Sequence, residues 1–146
     1  FALEYAGYPG SPGDGTGHID MFVKLLNDNT VLISTADTEP FRSNAEKAIA
    51  FFSGMTAPDG HPYRVITVKG WSKGGTWYTY TNSLIVNQLV MMPSYSTNPQ
   101  GNEEAKKAYE AGIPGVKVVG IKSDDIIRAG GSVHCVTQTI PAPAAQ

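Results

Sequence analysis

His18 and Asp20 stand two apart in "GTGHIDMF", behind a Gly-rich run and at the mouth of an apolar, strand-like stretch. Alternation along a strand puts both side chains on one face. There an imidazole and a carboxylate can bind a cation and move a proton. A surface His–Asp pair has the same spacing, and the spacing leaves both readings open. Cys135 is the only cysteine and lies in "GGSVHCVTQTIP", an apolar, β-branched run behind Gly130 and Gly131. Read alone, it is a buried small hydrophobe. A lone Cys with His and Asn elsewhere also allows a thiol hydrolase. Asn82, in "TWYTYTNSLIVN", lies where an aromatic, polar loop enters an apolar strand. By itself it reads as a turn residue bonding its own backbone. Trp77, Tyr78 and Tyr80 of that loop are candidates to wall a pocket.

Other chemistries find less support. His134 neighbours Cys135, but alternation on a strand points it to the opposite face, a poor position for a catalytic partner. His61, in "PDGHPY", reads as a loop residue. His18, Asp20 and His61 would form a mixed metal set without tight spacing, a weak signal. A papain-like order puts the nucleophile early at a helix start, whereas Cys135 comes late. No clustered carboxylate loop of the calcium-binding type is present.

Composition narrows the class. The chain has 146 residues, enough for one domain with a core. Hydrophobic residues make up 41% and charged residues 16%, the latter below the usual ~25%. Neutral polar residues fill the difference, which leans towards an exported or cell-envelope protein. With a net charge of −2 and no basic cluster, nucleic acid is a poor partner. One cysteine excludes an internal disulfide. No apolar run approaches the ~20 residues that span a membrane. The opening "FALEYAGYPG" suggests a processed or truncated end, and residues 142–146 a tail or linker behind a domain of residues 1–141.

The elements that must position these residues repeat. "MFVKLL" and "TVLIST" predict a hairpin over Met21–Leu26 and Thr30–Ser34. Phe41, Ala45, Ala48, Ile49 and Phe52 share a helical face, with Thr38 and Pro40 at its start and Gly54 at its end. "YRVITVKG" is a strand. The order then recurs. "NSLIVN" and "LVMMPSY" pair around Asn87 and Gln88, and "NEEAKKAYEAG" forms a helix capped by Asn102 and closed by Gly112. Glu103 and Lys107 are spaced as an i,i+4 pair. "VKVVGIK" follows as a strand, "SDDIIRAGG" holds one helical turn, and "SVHCVTQTI" reads as a last strand. Two ββαβ units in series, plus the first strand of another, suggest stacking about an axis that this chain alone would not close.

"GHIDMF", "YTNSLIVNQLVMMP" and "GGSVHCVTQTIP", in that order, resemble the C-terminal half of the bacterial-type peptidylarginine deiminase and agmatine deiminase family. The "VKVVGIKS" strand resembles the family's segment before the nucleophile. The likeness runs from Gly15 to about Pro141. It implies an α/β pentein propeller of five ββαβ modules, about half of them in this chain, with a guanidine site in the central channel. It also implies roles: Cys135 as nucleophile, His18 as general acid/base, Asp20 as guanidinium clamp, and Asn82 to position substrate or Cys135. Trp77, Tyr80, Gly130 and Gly131 would line the substrate. No cofactor or metal is implied. The expected reaction is hydrolysis of a guanidino group, with arginine in a peptide or protein ahead of agmatine. The agmatine alternative would imply a cytoplasmic enzyme of putrescine synthesis. A non-catalytic binding protein of the same fold is the other reading. The second guanidinium carboxylate would lie in the N-terminal half, so that half is expected as a separate chain or missing segment.

Overall fold

The computed structural model describes residues 16–140. Expectations that fall on residues 1–15 and 141–146, including the tail, lie outside the described residues. Two three-stranded sheets carry the repeat. In the first, β1 (Val23–Asn27) pairs antiparallel with β2 (Thr30–Thr35), and β2 pairs parallel with β3 (Arg64–Lys69). The parallel return needs a crossover, which α1 (Phe41–Ser53) supplies. A short hairpin follows, β4 (Trp71–Lys73) with β5 (Thr76–Tyr78). The second sheet repeats the first: β6 (Leu84–Val86), β7 (Leu89–Ser94), α2 (Pro99–Gly112) and β8 (Lys117–Lys122). Both ββαβ units expected from the sequence are present.

The reasons are local. On α1, Phe41, Ala45, Ala48 and Phe52 are buried, as the helical spacing requires. Ala45, Ala48 and Phe52 pack with Phe22, Val23, Val31 and Ile33 into one core, while Phe41 joins a second. The alternate residue of β2, Leu32, points the other way into that second core. That core joins Val68 of β3 to Val90 and Met92 of β7 and to Ala105 and Tyr109 of α2. β2 is therefore buried on both faces, and the second core is shared between the units. The tight β6–β7 turn puts Asn87 at φ 52°, a left-handed conformation that Asn tolerates.

Several expectations are corrected. Residues Ile19–Met21 form a 3-10 turn, so the first strand starts at Val23 rather than Met21. The β4–β5 hairpin replaces an expected loop. Asn98, not Asn102, caps α2: its side chain accepts from the Gly101 amide at 3.1 Å. The i,i+4 ion pair on α2 is Lys106–Glu110, at 4.0 Å. "SVHCVTQTI" is not a strand. Residues His134–Val136 make a 3-10 turn, because the backbone there bonds to Asn82 rather than to a neighbouring strand.

Candidate active site

The site is assembled by three segments: the turn bearing Asp20, the segment from Thr79 to Ser83, and the turn bearing Cys135. The middle segment is the frame. Tyr95 Oη donates to Thr79 O at 2.8 Å, and Tyr109 Oη donates to Tyr80 O at 2.8 Å and shares a 2.7 Å hydrogen bond with the Ser83 hydroxyl. Tyr80 Oη donates to Asn102 Oδ1 at 3.2 Å. Burial pushes all three phenols above their ordinary range, so they remain protonated donors. Two further bonds tie the Asp20 turn to this frame. Thr81 Oγ1 donates to Asp20 O at 3.0 Å, and Trp77 Nε1 donates to Met21 O at 2.9 Å. Lys24 Nζ donates to Ser83 O at 2.6 Å. Burial lowers the Lys24 pKa, and the Asp20 charge partly offsets that.

Asn82 is fully buried and clasps the other two segments. Its Nδ2 donates to Asp20 Oδ2 at 2.8 Å and to Cys135 Sγ at 3.1 Å. Its Oδ1 accepts from the amide of Ser132 at 2.8 Å and, more weakly, from that of Cys135 at 3.4 Å. Its backbone carbonyl accepts from the His134 amide at 3.2 Å. The Asn82 side chain thus spends its polar groups outside its own turn, against the simplest reading of its sequence context.

Cys135 is exposed, so the buried-hydrophobe reading fails. Its Sγ lies 3.7 Å from Asp20 Oδ2. Donor atoms of His18, Asp20 and Cys135 all fall within 4.8 Å of one another. The sequence-predicted set of Cys135, His18, Asp20 and Asn82 is brought together. His61 is not in this group; its amide bonds Asp59 Oδ1 in the loop after α1. Asp20 lies in a turn rather than a strand, so the alternation argument reached the right pairing through the wrong element. Asp20 Oδ1 is buried and has no hydrogen-bond partner among the described residues. An unpaired carboxylate oxygen is an acceptor waiting for a donor.

Other expectations are overturned. Trp77 is 3% exposed and stacks on Phe41 at 4.1 Å, so its ring is mainly packing and anchor, bordering only a small cleft shared with Gly130. Tyr80 is buried and bonded into the frame. His134, placed on the far face by the strand reading, points into the site: Nδ1 lies 2.6 Å from Asp20 Oδ2. In a 3-10 turn, neighbouring side chains do not alternate as they do on a strand, which is why the reading failed. Gly131 serves Cys135 itself. A Cβ there would lie 2.5 Å from Cys135 Sγ and 2.6 Å from its Cβ. Gly130, at φ 92°, takes the left-handed conformation that ends the preceding turn. The signal that could have found the supporting bonds is the density of Tyr and Thr between Trp77 and Tyr95.

Comparison with known proteins bears on the family and the fold. The model of the Porphyromonas-type peptidyl-arginine deiminase family matches residues 7–141. The chain is 30% identical to a candidate agmatine deiminase of Streptococcus mutans, over 90% of this chain and 42% of that protein. It is 27% identical to an agmatine deiminase of Medicago truncatula, over 88% and 41%. Among solved structures, a candidate arginine deiminase from Porphyromonas gingivalis matches with a TM-score of 0.74 and 25% identity, over 89% of this chain and 40% of that one. The agmatine deiminase of Enterococcus faecalis matches with a TM-score of 0.70 and 21% identity, over 84% and 40%. The chain spans about two fifths of the length of these curated relatives. Its ββαβ modules are those of the α/β pentein propeller, of which it holds a part. With the family model covering all but its ends, the chain belongs to the Porphyromonas-type peptidyl-arginine deiminase family.

Proposed function

We propose that this chain carries the nucleophile of a hydrolase that releases ammonia from a guanidino group, with agmatine ahead of peptide arginine as substrate. The observation that carries the reading is the unpaired, buried Oδ1 of Asp20 beside an exposed thiol held by Asn82. A guanidinium is planar and cationic, and a carboxylate binds it through charge-assisted N–H donors. A Cys135 thiolate and the Asp20 carboxylate are like charges 3.7 Å apart, and a cation bound on Asp20 offsets their repulsion.

In this reading the Cys135 thiolate attacks the guanidino carbon. The C–N bond to the leaving nitrogen breaks, and His18 supplies the proton that lets it depart as ammonia. A covalent thiouronium remains on Cys135. His18 then takes a proton from water, whose oxygen attacks the same carbon. The C–S bond breaks, and a ureido product leaves. Asn82 positions Cys135 and Asp20 together. Residues up to Pro141 would form part of one catalytic domain, and modules outside this chain would supply the second carboxylate.

The expected order of substrates is reversed here, because the two curated relatives named above carry the agmatine deiminase name. Peptide arginine remains the second reading, on the description of the matching family. The lean towards export rests on composition alone. Among the described residues no helix is long and apolar enough to cross a membrane.

The test incubates the protein, with the remaining modules supplied, with agmatine and with an arginine peptide, and measures ureido product and ammonia. Agmatine should turn over faster. Faster turnover of the peptide would restore the other order, and no product from either would end the hydrolase reading. Cys135→Ala should lower turnover by at least about a thousandfold while leaving Tm nearly unchanged. Intact mass of the native preparation would show whether the other modules travel on a second chain.

A further inference from the structure

His134 makes one of the two shortest polar contacts in the site, and nothing in the proposed reaction uses it. Its Nδ1 lies 2.6 Å from Asp20 Oδ2. A nitrogen lone pair does not face a carboxylate oxygen at that distance, so Nδ1 carries the hydrogen. The same oxygen already accepts from Asn82 Nδ2 and lies near Cys135 Sγ. Asp20 therefore has one free oxygen, Oδ1, and one crowded oxygen, Oδ2. A planar cation that used both oxygens would need the place the imidazole holds. The His134 side chain is 44% exposed and that of Asp20 16%, so the imidazole sits on the solvent side of the carboxylate.

We propose that His134 is a specificity-determining gate on Asp20: its imidazolium pairs with the carboxylate and competes with a cationic ligand, so cation binding weakens as pH falls. This rests on the reading of Asp20 as the guanidinium-binding group. The physics is direct. Neutral imidazole still donates through Nδ1–H, but it adds no charge. Once protonated, it neutralises the carboxylate and repels an incoming cation. It faces Asp20 directly; the other charged and titratable groups gathered at Asp20 are His18 and Cys135, within 4.8 Å, and Lys24 of β1, coupled to it by charge. Lys24 is common to the wild type and both variants, so the comparison between them holds its contribution constant. The design below separates the contributions of Cys135 and His18 from that of His134.

The test alkylates Cys135 with 2-chloroacetamidine, a cation, and with 2-chloroacetamide, its neutral analogue. In both, sulfur forms a bond to the methylene carbon and chloride leaves. Rates are followed by intact mass. The cation-to-neutral rate ratio cancels the thiol's own titration. In the wild type the ratio should fall about fivefold from about pH 8 to about pH 5.5, the size expected for a partly exposed charge pair. His134→Asn keeps a neutral N–H donor near the Nδ1 position and gains no proton. Its ratio should stay nearly flat and exceed the wild-type value about fivefold at the acid end. His134→Ala should be flat as well. A merely structural role would lower the ratio in His134→Ala and leave the wild-type pH course in His134→Asn. If His134→Asn follows the wild-type course, the titration belongs to His18 and the gate is overturned. A ratio near one in every variant at every pH would instead remove Asp20 as a cation site, and the proposed function with it.

Discussion

Gly131 has room for a hydrogen and nothing larger, because the Cys135 side chain fills the place of its missing Cβ. The contact would be with the Cys135 sulfur proposed as nucleophile, so Gly131→Ala should displace that thiol before it disturbs any core. The expected result is a loss of about a hundredfold or more in Cys135 alkylation by the amidine, with Tm lowered by a few degrees at most. Gly130→Ala makes the comparison: it strains a φ of 92° and should cost about 1 kcal/mol of stability, with less effect on the thiol. Equal effects of both variants on alkylation would show that Gly131 acts only through the backbone. At this scale the reactive set could be read from the sequence as types in order, but not as roles. Cys135 alone pointed to the core, and Asn82 alone to its own turn. Only the motifs taken together raised them to a site. His134 was misread because its orientation depends on whether residues 132–136 form a strand or a turn, and a single residue's type does not decide that.

The elements explain where legibility stopped. α1 could be read because its apolar face recurs at helical spacing and Gly54 ends it. The β4–β5 hairpin was hidden because Gly74 and Gly75 turn the chain inside an aromatic, polar run that looks like loop. The last run failed the other way. Its β-branched residues favour strand, but Asn82 bonds to the amides of Ser132, His134 and Cys135 and holds them in a turn. On α2 the cap falls to Asn98 rather than to the expected Asn102. Asn98 caps the helix, while Asn102 clasps the Tyr95 backbone, accepting from its amide at 2.9 Å and donating to its carbonyl at 2.9 Å. Asn98→Ala should therefore cost about 1 kcal/mol, an ordinary cap loss. Asn102→Ala removes both bonds to the Tyr95 backbone and the acceptor of the Tyr80 hydroxyl, and should cost about 2–4 kcal/mol. Urea melts of the two variants check the order; a larger loss in Asn98→Ala would return the cap to the more important place.

At the scale of the whole described structure, the two modules are joined through their site and through their core. Asn27 Nδ2 donates to Gly112 O at 3.0 Å, and Arg64 Nη1 donates to Ala111 O at 2.9 Å, so strand edges of the first unit hold the end of α2. Leu32 and Val68 of the first unit share a core with Val90 and Tyr109 of the second. Asp20 precedes the first unit, Asn82 opens the second, and Cys135 follows it. A module that opened alone would take one wall of the site with it, and would also expose half of the shared core. The two should therefore unfold as one. In urea, far-UV circular dichroism and the cation preference of Cys135 alkylation should be lost at the same midpoint. Tyr109→Phe is the sharper probe, because that hydroxyl reaches from α2 to the frame beneath Asn82, and its phenol is kept protonated by burial. Removing it leaves the Tyr80 carbonyl short of a donor and the Ser83 hydroxyl short of a partner, and should cost about 1–3 kcal/mol. Both midpoints should then fall together, by roughly 1 M urea. If alkylation preference is lost well before the circular dichroism changes, in either protein, the site is a local structure draped on two independent modules, and the joint core does not couple them.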